Sequence, residues 1–139
     1  MNDSSTGAHK LGSHSPDMTA YTEGSLEELQ AMIRQFVDDR DWNQFHNPKD
    51  LAISLSLEAA EVMEHFQWKN PEEMAEHVLK NKNEVGDELA DVFYWVLLLA
   101  NKLDIDLVDA FKRKMDKNHT KYPISKARGN HKKYTEHEA

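Results

Sequence analysis

Two pairs of carboxylate residues lie inside the most apolar segments of this chain, and they constrain both its fold and its chemistry. Glu58 and Glu61 belong to the segment SLEAAEVMEHFQW, and Glu88 and Asp91 belong to GDELADVFYWVLLLA. Residues three apart lie on one side of an α-helix, separated by about 60° around its axis. Each pair therefore projects two carboxylates in one direction, and two such helices facing each other would enclose four carboxylates.

Carboxylates held this close repel each other, and a divalent cation removes that repulsion. Two unit charges ~5 Å apart repel by roughly 3 kcal/mol at an effective dielectric constant of ~20. Ligand sets made of oxygen alone favour Mg²⁺, Mn²⁺ or Ca²⁺ over zinc. The glutamate-to-histidine spacing of di-iron bundles, three residues, does not occur at Glu58, Glu61, Glu84 or Glu88. The pattern therefore predicts a Mg²⁺ site, with Mn²⁺ as a substitute, and phosphate chemistry.

The composition is that of one intracellular globular domain. The chain has 139 residues, which is enough for one domain with a real core. It contains no cysteine, as is typical of a reducing compartment such as the cytoplasm. The longest apolar run, Val92 to Ala100, is too short to span a bilayer. The N-terminal segment lacks the basic and apolar regions of a secretory signal, and residues 1–24 are predicted to be a disordered tail.

Basic residues are concentrated near the C-terminus. The net charge is −8, yet residues 112–133 contain nine of the 17 basic residues and a single acidic residue, Asp116. A basic segment attached to an acidic, metal-binding body suits a substrate that is a metal-bound polyanion. The same residues equally suit a solvated helix whose cations complement the dipole at its C-terminus.

Apolar spacing and capping signals predict helices and no strands. Ser25 starts a capping-box pattern before a helix over about 26–40. Cap and proline signals open further helices over about 48–67, 71–79 and 107–121. The helix that carries Glu88 and Asp91 and ends near Leu103 is apolar almost all round, so it is predicted to be central and buried. Weak helix breakers leave open whether the 71–79 helix merges with it.

These elements predict an all-α fold, a four- to five-helix antiparallel bundle. The folded domain would cover residues 25–122, and residues 123–139 would form a polar, basic tail. A few short helices cover so apolar a central helix poorly, and a homo-oligomer is therefore predicted.

Two further groups of side chains are candidates for substrate binding. The loop after the first helix carries Trp42 and His46, and loop aromatics either stack on a nucleobase or cover a small core. Lys114, Asn118 and Lys121 share one face of the last helix, where they either bind phosphate oxygens or solvate the surface. Composition alone does not separate these interpretations.

The carboxylate pairs also match a known motif. The chain carries Glu58-Ala-Ala-Glu61 and, after a gap of 26 residues, Glu88-Leu-Ala-Asp91. This pattern resembles the ExxE…ExxD signature of the MazG-like all-α nucleotide pyrophosphohydrolases. The segments RDWNQFHNPKDLAISLSLEAAEVMEHFQWK, DELADVFYWVLLLA, KMDKNHTKYP and ARGNHKKYT resemble the dCTP pyrophosphatase branch of that group. The likeness runs from about Ser25 to Thr135.

The resemblance implies a function and an assembly. It implies a helical bundle, commonly a homotetramer made of two dimers, that splits a nucleoside triphosphate into monophosphate and pyrophosphate. The substrate would be dCTP or a modified dCTP, and the role would be to clear unwanted nucleotides from the pool. By matching motif, Mg²⁺ would be held by Glu58, Glu61, Glu88 and Asp91; base and sugar would be surrounded by Trp42, His46, Trp68 and Lys69; and phosphates would be bound by Lys114, Asn118 and Lys121.

One position departs from the branch. Relatives tend to have Tyr four residues after the signature aspartate, where this chain has Trp95 preceded by Tyr94. Trp95 is therefore a candidate contact to base and sugar with altered chemistry. Among the carboxylates, Glu61 is the candidate base that accepts a proton from water as that water attacks the α-phosphorus.

Other functions stay open on the sequence. The same scaffold would suit dUTP, a broad range of triphosphates, or phosphoribosyl-ATP. The basic C-terminal stretch would also suit a helical nucleic-acid-binding or regulatory module, and a non-enzymatic oligomerisation bundle is a third alternative. The nucleic-acid-binding or regulatory alternative gives no reason for paired carboxylates within apolar helices, so a nucleic-acid partner is not expected, and a membrane partner is not expected either.

Overall fold

The computed structural model describes residues 24–129, 131 and 133, and in this part of the chain helices joined by short turns are the regular structure, with no β-strand. The helices are α1 (Leu26–Asp38), α2 (Pro48–Glu64), α3 (Pro71–Lys80), α4 (Lys82–Leu103), α5 (Leu107–Lys121) and α6 (Ile124–Ala127), with a 3-10 turn at Trp42–Gln44. The all-α prediction is confirmed. None of the helices in the described ranges has the length and hydropathy that a membrane span requires. The predicted N-terminal tail lies outside the described residues, apart from Gly24.

Side-chain caps begin four helices at the predicted positions. The backbone N–H of Glu28 donates to Oγ of Ser25 at 3.2 Å, and the N–H of Ser25 donates to the Glu28 carboxylate at 2.9 Å. A second capping box begins α3 at Asn70. Asn47 and Asp106 cap α2 and α5, each accepting from the N–H three residues further on. Each cap satisfies backbone donors that have no partner inside the helix.

Several helix boundaries differ from the predictions by a few residues. α2 ends at Glu64, short of residue 67, and the turn that follows reaches Trp68, whose φ of 66° lies in the left-handed region. Asn81 separates α3 from α4: its N–H donates to the carbonyl of His77, and its own carbonyl accepts from Val85. The two helices therefore meet at one residue and do not merge. α6 falls within the segment predicted as a tail.

The packing of α2 against α4 is the most extensive in the described chain, and α1 packs on α4 beside it. The hydrophobic core of the chain is small, and each leucine that is fully buried in it stabilises the fold by roughly 1.5–3 kcal/mol. Its buried hydrophobic side chains are Ile33, Val37, Leu51, Val85, Leu97, Leu98 and Ala100. The α2–α4 pair positions the site, because the carboxylate motifs lie on these two helices.

Within one chain, the predicted burial of α4 does not extend to Leu89 and Phe93. Their side chains are 54% and 42% exposed. α5 follows α4 and packs on the core through Leu107, while Phe111 remains exposed. One chain supplies too few helices to cover α4, so apolar surface on α4 and α5 faces outward.

Candidate active site

Three of the four predicted metal ligands come together between α2 and α4. One carboxylate oxygen from each of Glu58, Glu88 and Asp91 lies within 4.8 Å of the other two. Glu58 and Glu88 are half-buried, and Asp91 is exposed. Three oxygen atoms at this spacing suit a hard divalent cation, which completes its shell with water or substrate oxygens.

Glu88 supplies an independent sign that a cation fits here. Its Oε2 is buried and has no hydrogen-bond partner. A buried polar atom without a partner is costly, and more so when it belongs to a charged group. A cation held by the three carboxylates would satisfy this oxygen and reduce the repulsion among them. The carboxylate cluster of Glu58, Glu88 and Asp91 can therefore bind a metal ion.

Glu61 lies apart from the carboxylate cluster. It is three residues beyond Glu58, in the last turn of α2, and its side chain is exposed. The structure brings together one acid of the first pair and both acids of the second. A metal-binding or catalytic role for Glu61 stays a prediction.

A cavity of about 440 Å³ adjoins the carboxylate cluster. This volume is within the range of small-molecule sites. Two of the carboxylates line it, and the rest of its wall is aromatic and apolar. The lining residues are Met32, Ile33, Phe36, Trp42, His46, Glu58, Asp91, Tyr94 and Trp95. We call this space the aromatic cavity.

α1 and the turn after it build one wall of the aromatic cavity. The ring of Phe36 meets Trp42 edge to face at 5.8 Å and Tyr94 at 6.3 Å. The Arg40 guanidinium lies over the Phe36 ring at 3.7 Å. Asp41 adopts a left-handed conformation, with φ of 52°, which aspartate tolerates better than most residues. The chain turns there, and Trp42 comes back against Phe36.

His46 forms the loop side of the aromatic cavity. Its ring lies 6.5 Å from that of Trp42 and 6.4 Å from that of Trp95. Its Nδ1 is buried and has no hydrogen-bond partner. Burial lowers the pKa of His46, and the Lys102 ammonium lowers it further. The imidazole is therefore neutral at pH 7 and offers one donor and one acceptor.

Tyr94 and Trp95 form the wall contributed by α4. Burial raises the pKa of the Tyr94 hydroxyl, an effect that the Arg40 guanidinium opposes, so the phenol stays protonated. The indole Nε1 of Trp95 donates a hydrogen bond to Oε1 of Glu58 at 3.2 Å. Trp95 thus contacts both the aromatic cavity and the carboxylate cluster.

Several predicted substrate contacts lie elsewhere in the chain. Trp68 is 91% exposed, and neither it nor Lys69 lines the aromatic cavity. Lys114 borders a second cavity, of about 510 Å³, between α1, α4 and α5. Asn118 and Lys121 are on the same helix, and none of the three lines the aromatic cavity. The aromatic cavity unites only Trp42, His46 and Trp95 of the predicted substrate contacts.

The sequence predictions omit four cavity residues, Met32, Ile33, Phe36 and Tyr94. Ile33 and Phe36 belong to the apolar stripe of α1, which is interpreted as core. One sequence signal could have pointed to Phe36. An aromatic residue four positions before an arginine can form a cation–π stack, as Phe36 does with Arg40. No local pattern marks the other three.

Comparison with known proteins gives the same assignment as the motif. Residues 53–136 match the model of the MazG-like family. The chain is 36% identical to dCTP pyrophosphatase 1 of Mus musculus over 116 residues, which cover 82% of this chain and 68% of the mouse protein. The match to dCTP pyrophosphatase 1 of Homo sapiens has the same identity and coverage.

A solved structure agrees in fold. The crystal structure of a pyrophosphatase from Archaeoglobus fulgidus superposes with a TM-score of 0.69 at 43% sequence identity, covering 73% of this chain and 94% of that one. The chain belongs to the MazG-like family. It is an enzyme, a nucleoside triphosphate pyrophosphohydrolase, and the family resemblance read from the carboxylate motifs is confirmed.

Proposed function

We propose that this chain hydrolyses a deoxynucleoside triphosphate, namely dCTP or a modified dCTP, to the monophosphate and pyrophosphate in a Mg²⁺-dependent reaction. The observation that carries the proposal is the carboxylate cluster, with oxygens within 4.8 Å, lying directly against the aromatic cavity. Such a site can bind a cation at the carboxylates and a nucleobase in the cavity beside them. The relatives named dCTP pyrophosphatase 1 support cytosine as that base.

Glu58, Glu88 and Asp91 would hold the Mg²⁺. The unpartnered Oε2 of Glu88 and the all-oxygen donor set support this assignment over zinc, and Mn²⁺ would substitute. When bound, the ion neutralises charge on the phosphate oxygens and makes a nearby water easier to deprotonate.

Glu61 would accept the proton of the attacking water. Its exposed carboxylate lies one turn from Glu58 and outside the carboxylate cluster, which leaves it available to act as a base. Water forms a bond to the α-phosphorus, the bond from that phosphorus to the bridging oxygen breaks, and pyrophosphate leaves while Glu61 takes the proton.

The aromatic cavity would bind the base and its sugar. Trp42 and Trp95 offer flat faces on which a pyrimidine can stack, and stacking of this kind is worth roughly 1–3 kcal/mol per base. The neutral ring of His46, with its unpartnered Nδ1, offers a hydrogen bond to the edge of the base.

The site would be completed in a homotetramer assembled as a dimer of dimers. Leu89, Phe93 and Phe111 expose apolar surface that another copy would cover. Trp68 lies outside the aromatic cavity of its own chain, and so do the three α5 residues predicted to bind phosphate. In the oligomer, Trp68 and Lys69 would approach base and sugar, and phosphates would be bound by Lys114, Asn118 and Lys121.

A panel of triphosphates, assayed for Mg²⁺-dependent release of pyrophosphate, tests the substrate. We expect dCTP or 5-substituted dCTP to have the highest kcat/KM. A preference for dUTP, or similar rates with all triphosphates, would favour the corresponding alternative on the same scaffold.

Two further experiments test the chemistry. Turnover in water labelled with heavy oxygen should place the label in the monophosphate, and label in pyrophosphate would contradict attack at the α-phosphorus.

Glu61→Gln is expected to abolish turnover while the fold survives. Glu64→Gln, an equivalent change at an exposed acid at the end of α2, should retain turnover.

A further inference from the structure

The indole of Trp95 connects the two halves of the site. Its Nε1 donates to Oε1 of Glu58 at 3.2 Å, and its ring lines the aromatic cavity. The ring also packs edge to face against Tyr94 at 5.2 Å and against His46 at 6.4 Å. One side chain therefore contacts a member of the carboxylate cluster and the surface on which a base would stack.

The hydrogen bond restricts the Glu58 carboxylate. An indole N–H is a donor only, so it engages one oxygen of Glu58 and leaves the second free. A free carboxylate at the end of a glutamate rotates readily, because its terminal torsion is broad. The bond removes part of that freedom. Glu58 is the sole contribution of α2 to the carboxylate cluster, so its orientation decides whether α2 takes part in binding a cation.

We propose that Trp95 is a positioning residue, whose N–H orients Glu58 for a divalent cation and thereby makes binding of a ring in the aromatic cavity and binding of the cation mutually strengthening. The inference rests on the proposed function for the cation and for the substrate class. A base stacked on Trp95 restrains the indole, and the restrained indole holds Glu58. Linkage requires the reverse effect as well, with the cation favouring the ring.

Trp95→Phe tests the inference, because phenylalanine keeps an aromatic wall and removes the N–H. Outer hydrogen bonds to metal ligands typically change metal affinity by 10–100-fold, so we expect Mg²⁺ to bind nucleotide-free Trp95→Phe about tenfold more weakly in isothermal titration calorimetry. Trp42→Phe makes the same change in another indole of the aromatic cavity, and its Mg²⁺ affinity without nucleotide should equal that of the unaltered enzyme.

The coupling is measured with a dCTP analogue whose α–β bridging oxygen is replaced by an imido group. This analogue should tighten Mg²⁺ binding to the unaltered enzyme and should do so much less in Trp95→Phe. Equal Mg²⁺ affinity in Trp95→Phe and the unaltered enzyme would overturn the inference and leave the proposed function standing if the variant still splits dCTP. Failure of the unaltered enzyme to bind Mg²⁺ at all would overturn both.

A second measurement keeps the inference testable if Trp95→Phe does not fold. The chain has three tryptophans, and ¹⁵N-labelled protein should show one indole N–H resonance for each. Mg²⁺ titration is expected to shift the Trp95 resonance most. That resonance is identified by its absence in Trp95→Phe or by elimination with Trp42→Phe and Trp68→Phe. A larger shift at either of the other indoles would contradict the positioning role.

Discussion

His65 and His77 connect α2 to α3 through a hydrogen bond of 2.9 Å between Nδ1 of His65 and Nε2 of His77. The side-chain amide of Asn81 donates to the carbonyl of His77 at 3.0 Å, and the same nitrogen lies 3.1 Å from Nδ1 of His77. Nδ1 of His77 is therefore an acceptor, and its Nε2–H donates the hydrogen bond that Nδ1 of His65 accepts. This network needs the His77 ring neutral, because a proton added at its Nδ1 removes the acceptor for the Asn81 amide.

The fold is expected to lose stability as the pH falls below about 6.5. Desolvation lowers the pKa of His77, as do the Lys69 ammonium and the neighbouring His65, and the Glu84 carboxylate opposes them. A histidine whose pKa is lower in the folded state contributes stability that is fully present above its unfolded pKa of about 6.5, and that contribution is lost progressively as the pH falls from there through the lower folded-state pKa. Thermal melting between pH 7.5 and 5.5 measures the loss.

Two variants isolate this histidine network. His77→Gln removes the titrating ring and should reduce the fall in Tm between pH 7.5 and 5.5. His119→Gln makes the same change at an exposed position of α5 and should keep the slope of the unaltered enzyme. A slope in His77→Gln equal to that of the unaltered enzyme would show that the network does not control acid stability.

Asp91→Asn is expected to raise the stability of the enzyme without Mg²⁺ and to leave it less stable than the unaltered enzyme with Mg²⁺. Without a cation, the change removes one of three carboxylates packed within 4.8 Å and should raise Tm. With Mg²⁺, the unaltered enzyme gains binding free energy, about 2.7 kcal/mol when the ion is at 100 times its Kd, and the variant gains far less. Melting curves in EDTA and in excess Mg²⁺ measure the difference in Tm between Asp91→Asn and the unaltered enzyme, which should change sign between the two conditions.

Asp87→Asn is the matched control for this experiment. Asp87 is an exposed residue of the same helix and lies outside the carboxylate cluster. Its substitution should leave the Mg²⁺-induced rise in Tm unchanged. If Asp91→Asn also keeps that rise, the carboxylate cluster is not the cation site.

Leu89→Lys is expected to dissociate the proposed homo-oligomer. Leu89 is 54% exposed on α4, and a lysine placed in an apolar contact between copies leaves a buried charge without a partner. Size-exclusion chromatography with light scattering should give the tetramer mass for the unaltered enzyme and a smaller mass for the variant. Leu79→Lys, the same change at an 83% exposed residue of α3, should not alter the mass. A stable monomer in the unaltered enzyme would remove the assembly proposal.

Trp68→Gly is expected to raise the stability of the enzyme measured without nucleotide. A left-handed conformation costs a bulky residue roughly 1–2 kcal/mol, and glycine adopts it without that penalty. Trp68 has φ of 66° and is 91% exposed, so its indole gains little from packing in its own chain. After allowance for the extra freedom of glycine in the unfolded chain, a gain of about 0.5–1 kcal/mol is expected. Calorimetry measures it.

Trp68→Phe separates strain from the aromatic contact. Phenylalanine keeps the strained backbone, so its Tm should match that of the unaltered enzyme. If Trp68 contacts the substrate as proposed, Trp68→Gly should also raise the KM for dCTP, and Trp68→Phe should raise it less. A fall in Tm for Trp68→Gly would mean that the indole is packed against another copy of the chain.

Helix positions were predictable because their signals are local. The caps at Ser25, Asn47, Asn70 and Asp106 act within one turn, and each begins a helix where the sequence predicts it. The end of α2 was less predictable, because it depends on the turn through Trp68 and not on a strong helix breaker.

The candidate site was predictable only in part. Glu58, Glu88 and Asp91 carried a signal because acids at helical spacing are unusual inside apolar segments. The hydrogen bond between Trp95 and Glu58 joins residues 37 positions apart, and only the packing of α2 on α4 creates it. The sequence could not say which faces of α4 are covered within one chain, because an apolar helix face has the same sequence pattern whether it packs within the chain or is left exposed on it.

The conformation of Trp68 has a practical consequence for engineering. Directed evolution that selects for heat resistance alone is expected to replace this tryptophan with glycine, because glycine relieves the left-handed backbone strain and the exposed indole packs little within its own chain. If Trp68 contacts the substrate as proposed, a selection that also scores turnover is expected to retain it, and comparing the two selected libraries at this codon would measure how strongly turnover opposes thermal stability.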